Sequence, residues 1–234
     1  MIRGRLLDRP LEPMWMDAAL RIALQADSAP EAKHLLELAL RDAPLGDEAR
    51  GKTVTALARV WIDPEPDCAD MLHWAERELG DTSDLRGVHL VALIAVYPFF
   101  ADVCAFVGKT LALEGRVLTP DLRARLRATW GDRRTIHNAV QRAVKTLRAF
   151  GVLEGTPGSS LSVPGERLEI PAAGIQWAAH AVLLARHAES IDERELRTAP
   201  ELFVVAIESG NGNTYPFLER HQEGGGRSVL ARVS

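Results

Sequence analysis

The side chains best suited to contact nucleic acid are concentrated between residues 116 and 150. This segment has nine Lys and Arg residues against two acidic ones, a net +7, whereas the whole chain carries −4 and the remainder therefore −11. Basic side chains replace the counterions around DNA phosphates, and Arg, Asn and Gln reach base edges. The candidate DNA-contacting residues are Arg123, Arg127, Arg133, Arg134, His137, Asn138, Gln141, Arg142, Lys145 and Arg148.

Two helices joined by a short turn are predicted to position these side chains. Thr119 followed by Pro120 is typical of a capped helix start, because proline is well tolerated in the first helical turn. Gly131 and Asp132 predict a turn, and Thr135 is expected to cap a second helix that ends near Phe150, with Gly151 after it. Apolar residues recur at helical spacing on the inward side of this second helix: Ile136, Val140, Ala143, Val144 and Leu147.

A pair of short strands is predicted directly after these helices. Residues 152–163 are interrupted by TPGSS at 156–160, which indicates two strands joined by a Pro-Gly turn. Helix, turn, helix and hairpin are the parts of a winged helix-turn-helix, whose second helix enters the major groove of double-stranded DNA. The turn contains no Lys or Arg, so its phosphate contacts would come from hydroxyls and backbone N–H groups. Such modules also dock proteins, so a protein-interaction adaptor stays open beside a DNA-binding accessory or regulatory protein.

Residues 46–53, GDEARGKT, match the phosphate-binding pattern G-x-x-x-x-G-K-[ST]. That motif requires a preceding strand, whereas residues 34–42 have a helical pattern. Asp47 and Glu48 would also repel the phosphates that such a loop holds. The segment is therefore predicted to be a helix N-terminus whose acids complement the helix dipole, with no ATP binding. A nucleotide-dependent enzyme survives as an alternative only if residues 35–44 form a strand.

No other catalytic or metal chemistry stands out. The seven histidines form no His-Glu-x-x-His pattern and the two cysteines no Cys-x-x-Cys pair, so no metal, cofactor or catalytic residue is predicted. Two cysteines are too few for a disulfide framework, which favours a reducing cytoplasm. The longest uncharged run, residues 87–101, is shorter than the about 20 residues of a spanning helix, so we expect a buried core helix and no membrane contact. Pro98 predicts a kink or a break in it, and residues 1–5 lack the apolar continuation of a signal peptide.

The fold class is predicted to be mostly α with a small β component (α+β). A helical N-terminal domain is expected at residues 1–80, and a hydrophobic core helix with the winged helix-turn-helix at residues 81–171. A C-terminal helix and a β-hairpin are expected at residues 172–234.

The C-terminal residues alternate between strand and turn composition. Residues 202–207 have the composition of a strand, although their run without polar breaks is also compatible with a helix, and residues 209–213 favour a loop. Residues 217–221 and 228–233 flank three consecutive glycines, which predicts a β-hairpin.

Three short stretches resemble a known family: YPFFADV at 97–103, GDRRT at 131–135 and LRAFGVL at 147–153. They are similar to the BrxA-like accessory proteins of bacterial BREX-type phage-defence systems, over about residues 85–163. The resemblance implies a winged helix and a non-enzymatic DNA-binding factor that works beside larger defence proteins, with no catalytic residues. Its DNA-facing positions correspond here to Arg133, Arg134, Asn138, Gln141, Arg142 and Lys145.

Overall fold

The computed structural model describes residues 5–206 and 215–233, which form ten α-helices, one 3-10 helix and eight short strands. Helices account for 59% and strands for 12% of the structure, which confirms the predicted α+β class. The helices are Pro13–Ala23 (α1), Ala29–Ala39 (α2), Asp47–Trp61 (α3), Pro66–Leu79 (α4), Arg86–Val96 (α5), Pro98–Glu114 (α6), Thr119–Trp130 (α7), Arg134–Ala149 (α8), Gly174–Arg186 (α9) and Glu193–Arg197 (α10). The strands are Val117–Leu118 (β1), Leu153–Glu154 (β2), Leu161–Pro164 (β3), Leu168–Glu169 (β4), Ser190–Asp192 (β5), Val205–Ala206 (β6), Leu218–Glu223 (β7) and Arg227–Arg232 (β8), and the 3-10 helix is Pro200–Val204.

Two apolar helices, α5 and α6, form the centre of the fold. Residues 87–94 of α5 are all buried. Pro98 begins α6 directly after Tyr97, so the predicted irregularity is a break into two helices that are bent by 116°. Among the described residues, no single helix is long and apolar enough to cross a membrane, although this bent pair would be by length and composition.

The predicted hairpin forms after α8 and gains a third strand. β3 pairs antiparallel with β2 and also with β1, which the sequence did not indicate, so the sheet order is β1-β3-β2. Between β2 and β3, Ser159 N–H donates to Thr156 O at 2.9 Å, and Gly158 has φ +81°, the left-handed backbone that this Pro-Gly turn requires. We call β2, β3 and the residues between them the wing. The helix pair α7 and α8 followed by the wing has the predicted arrangement.

One hydrophobic core joins the three predicted segments. Its buried residues run from Leu7 to Leu230. The N-terminal segment is tied to α8 by a buried hydrogen bond, in which Leu11 N–H donates to Thr146 Oγ1 at 2.9 Å. Residues that precede α8 and residues that follow it therefore belong to the same hydrophobic core, which holds α8 in place.

The C-terminal part contains the predicted hairpin, β7 and β8, and β5 extends it to a sheet of order β5-β8-β7. Of the two alternatives for residues 202–207, the helical one holds over 202–204, because a 3-10 helix beginning at Pro200 runs to Val204 before the two-residue strand β6. The loop predicted at residues 209–213 lies outside the described residues. So do residues 1–4, on which the signal-peptide expectation depends.

Two predicted helix caps also differ from the structure. α8 begins at Arg134 with Arg133 as its N-cap, so Thr135 lies inside the first turn rather than capping it. Thr119 is the first residue of α7 rather than its cap, because its N–H and Oγ both donate to Ser160 O of the wing. Gly151 follows the last turn of α8 with φ +80°, as predicted.

Candidate nucleic-acid interface

Helix α8 presents two chemically distinct faces. Its buried face consists of Ile136, Ala139, Val140, Ala143, Val144, Thr146 and Leu147. On the opposite face, helical spacing aligns four of the predicted residues, which we call the polar row: Arg134, Asn138, Gln141 and Lys145. His137 and Arg148 flank this row on one side and Arg142 on the other, and all three are half-buried. The structure thus brings the predicted side chains of α8 onto one side of the helix.

The end of α7 is anchored to the core helix α6. Trp130 Nε1–H donates to Asp102 Oδ2 at 2.7 Å, and the Trp130 ring meets Phe99 edge-on at 5.2 Å. Burial raises the pKa of Asp102, whereas the Trp130 hydrogen bond opposes that change. The turn that leads into α8 therefore directly follows a residue, Trp130, that is anchored to α6.

Arg148 serves the wing rather than facing open solvent. Its guanidinium donates to Leu161 O at 2.7 Å, to Ser159 O at 3.1 Å and to Ser162 Oγ at 2.8 Å. Gly155 lies against the same guanidinium, since a Cβ at that position would come within 2.6 Å of Arg148 Nη2. From the other side, Thr119 N–H donates to Ser160 O at 2.9 Å. Arg148, predicted as a DNA contact, thus fixes the wing against α8.

Most of the cations in this segment have no partner in the described part of the chain. Of its nine Lys and Arg residues, only Arg127 makes an ion pair, and only Arg127 and Arg148 donate side-chain hydrogen bonds. Outside the segment, at least nine of the 18 described Lys and Arg residues are ion-paired. The seven free cations are Arg116, Arg123, Arg125, Arg133, Arg134, Arg142 and Lys145.

Asp132, just before the start of α8, contacts two of the predicted side chains. Its carboxylate lies 3.2 Å from His137 Nε2 and 3.5 Å from Arg127 Nη1. A carboxylate near a helix N-terminus is favourable, since the helix dipole is positive there. Arg127 and His137 therefore both contact Asp132, which could not be inferred from their residue types alone.

A cleft of about 270 Å³ opens between α7, α8 and the wing. It brings together Arg123, Gln141, Lys145 and Arg148, which are separated by up to 25 positions in the sequence. The remaining lining residues are Thr119, Pro120, Val144, Gly158, Ser159 and Ser160. The prediction that the wing offers hydroxyls is consistent with this lining, but the participation of Thr119 was missed. Its only signal was the Thr-Pro helix start.

The segment that matches a phosphate-binding loop is helical. Gly46 is the N-cap of α3, and the chain before it forms α2 and a short connection rather than a strand. Within α3, Lys52 forms an ion pair with Glu48, and Arg50 Nη1 lies 2.8 Å from Asp47 Oδ1. A nucleotide-dependent enzyme required a strand at residues 35–44, and the structure has no strand there.

The titratable groups of the core are used structurally. His89 Nε2 lies 2.9 Å from Asp17 Oδ1, and burial lowers the pKa of His89. His180 Nδ1 lies 2.9 Å from the Tyr215 hydroxyl, and burial lowers the pKa of His180 to about 4. Cys68 and Cys104 are buried free thiols whose pKa values burial raises, to about 11 for Cys68. Among the residues that the structure describes, no group of three or more His, Cys, Asp and Glu side chains is arranged to hold a metal ion.

Comparisons with known proteins add no assignment: no protein-family model matches the chain, and neither the curated proteins nor the solved structures give a significant match.

Proposed function

We propose that this chain is a non-enzymatic DNA-binding accessory or regulatory protein that contacts duplex DNA through α8. The observation that carries the proposal is the set of seven free cations around α7 and α8, in a protein whose remaining residues carry −11. Cations without partners are available to replace counterions on phosphates, which supplies most of the affinity of nonspecific binding. The acidic body repels phosphate elsewhere, so duplex DNA approaches this one side.

The dimensions of α8 suit the major groove. Its 16 residues span about 24 Å at about 1.5 Å per residue, and the groove is about 12 Å wide. In the polar row, Asn138 and Gln141 offer the amide pairing that matches adenine, and Arg134 offers the fork that matches guanine. Arg133 and Arg134 stand at the N-terminal end of α8, where base contacts concentrate in helix-turn-helix proteins.

The biological setting rests on the sequence resemblance. The stretches at 97–103 and 147–153 are similar to those of BrxA-like proteins. We therefore place this chain beside larger proteins of a bacterial phage-defence system, which would carry the enzymatic activities.

An exposed apolar group favours the second candidate, a protein-interaction adaptor. Leu118 and Leu161 are paired across β1 and β3, and both are more than a third exposed. Exposed apolar side chains that lie together are typical of protein contact sites. An adaptor would use this side of the wing sheet and would ignore duplex DNA even at low salt.

The test is fluorescence anisotropy of a labelled duplex of random sequence at about 50 mM salt. The variant Arg134→Glu/Lys145→Glu reverses two charges of the polar row, and we expect it to weaken binding at least about 100-fold. The matched control is Lys33→Glu/Lys52→Glu, which makes the same charge change at two exposed ion pairs elsewhere.

The control variant should bind within about 3-fold of the wild type if location rather than net charge decides affinity. Equal weakening of both variants would show that only net charge matters and would contradict an interface on α8. No binding by the wild type at this salt concentration would refute the DNA-binding proposal and favour the adaptor.

A further inference from the structure

The cleft between α7, α8 and the wing has the composition of an anion site. Three basic side chains line it, Arg123, Lys145 and Arg148, and none of its described lining residues is acidic. The surrounding surface does not share this property, because Arg125, two positions from Arg123, lines a separate cavity together with Asp121 and Glu114. Positive charge is therefore focused into the cleft.

One donor in this cleft is buried and unused. The Nε–H of Arg123 has no hydrogen-bond acceptor among the described residues and no exposure to solvent. A buried N–H of a charged group without an acceptor is costly, and native proteins rarely leave one unmatched. Lys145 is also free of ion pairs in the described structure. Arg123 and Lys145 both line the cleft, so an anion seated there would give each of these side chains a charged partner.

The far wall of the cleft is fixed before any ligand binds. Arg148 holds Ser159 O and Leu161 O, and Thr119 holds Ser160 O, so the wing is attached at both α7 and α8. The Ser160 hydroxyl donates no hydrogen bond within the described structure, and the Ser159 hydroxyl accepts one from Leu161 N–H and keeps its own proton to donate. A site whose donors are already in place loses little entropy on binding.

We propose that this cleft binds one phosphate group, held by Arg123 and Lys145 and by the hydroxyls of Ser159 and Ser160. The cleft, at about 270 Å³, is several times the about 30 Å³ share of a water molecule, so it accommodates a polyatomic anion. The proposal deepens the proposed function, on which it rests for its favoured source of phosphate, the backbone of the bound duplex. A free phosphate is the other source of the same chemistry.

The first arm of the test measures duplex binding as a function of salt for wild type, Arg123→Gln and Arg125→Gln. Each phosphate contact adds about 0.9 to the slope of log K against log salt. Arg123→Gln should therefore reduce the slope by about 1 and weaken binding about 10-fold, whereas Arg125→Gln, which makes the same charge change on the same helix, should leave both near the wild-type values.

The second arm measures the melting temperature of wild type and Arg123→Gln in inorganic phosphate and in chloride at equal ionic strength. A phosphate-specific stabilisation that Arg123→Gln abolishes, without any change in duplex binding, would support the pocket and identify a free phosphate as its source. If the wild type binds no duplex but phosphate still stabilises it, the pocket stands and the proposed function fails. If Arg123→Gln changes neither the salt slope nor the phosphate stabilisation, the pocket is refuted, whatever the duplex binding.

Discussion

Two segments of this chain carry the residue types of an anion site, and the structure separates them. Residues 46–53 match a phosphate-binding motif in every required letter, whereas the helix pair α7 and α8 matches none. In the first segment, Lys52 is paired with Glu48 and Arg50 with Asp47 along a single helix. Across residues 116–150, which include the helix pair, seven cations remain free in the described structure.

The local balance of charge, rather than the motif, therefore decides whether the cations of a segment are free to bind an anion. An ion pair between residues three or four positions apart on a helix forms at little cost. The cations of α3 are therefore already neutralised and are not available to an external anion. The acids of the chain are largely excluded from residues 116–150, where only Asp121 and Asp132 occur. Variants that remove individual side chains from these two regions test this difference between them.

The largest effect is expected from Arg148→Ala, because this variant detaches the wing from α8. Hydrogen bonds from a charged donor contribute about 1.5–3 kcal/mol, so opening of the wing should become easier by about 2 kcal/mol. That change corresponds to about a 30-fold faster hydrogen exchange at the Thr119 amide, which donates to Ser160 O. Lys145→Ala, the control, removes a cation from the same cleft without a bond to the wing and should leave this exchange rate unchanged.

The next effect concerns the anchor of α7. Trp130→Phe keeps an aromatic ring against Phe99 but removes the donor to Asp102. The half-buried carboxylate then has no partner, and we expect a loss of about 1–2 kcal/mol in the free energy of unfolding, measured by urea denaturation. Asp102→Asn retains an acceptor oxygen and should cost less than half as much. If both variants unfold at the same urea concentration as the wild type, this hydrogen bond does not anchor the helix pair.

A smaller gain is expected from Glu76→Gln in the acidic body. Glu76 Oε1 is buried without a partner among the described residues, and burial raises the pKa of Glu76 from 4.5 to about 7. When burial raises the pKa of a carboxyl, the folded protein loses stability as the pH rises from about 4.5 to about 7, because the folded state holds the proton more tightly than the unfolded state does. Glu76→Gln should thus stabilise the protein by about 1 kcal/mol at pH 8, a discounted share of about 1.36 kcal/mol per pKa unit.

The same gain should shrink as the pH falls below 7 and disappear below about 4.5. Glu78→Gln, on the exposed side of α4, is the matched control and should change nothing. A gain from Glu76→Gln that is independent of pH would mean that burial of its charge is not the cause.

The smallest effect, no change at all, is predicted for residues 46–53. Mg-ATP should not shift the melting temperature of the wild type or of Lys52→Ala, because Lys52 is paired and no strand precedes the motif. A micromolar affinity that Lys52→Ala abolishes would reverse the comparison between the two segments.

The periodicity of apolar residues predicted the helices well. Pro98 correctly marked an irregularity between α5 and α6, and the Pro-Gly turn correctly marked the wing. The two-residue strands β1 and β4 were missed, since they are defined by their partners in the sheet rather than by local composition.

For the candidate site, the sequence predicted which cations lie on α8 but not which of them are free. Arg148 and Arg134 have the same residue type on the same helix, yet Arg148 donates to wing carbonyls 11 and 13 positions further along the chain whereas Arg134 is exposed. That distinction depends on how the wing folds back, which is a tertiary property. The cleft likewise appears only when Thr119 and Ser160 are brought together.

The most direct test of the central claim is the salt dependence of wild-type binding to a duplex of random sequence between about 50 and 200 mM salt. The six free cations other than Arg125, each displacing one counterion, predict a slope of log K against log salt close to −5, at about 0.9 per contact. Over this range the affinity should therefore fall by more than about 10³-fold. A slope near zero, or no binding at the lowest salt concentration, would contradict the account.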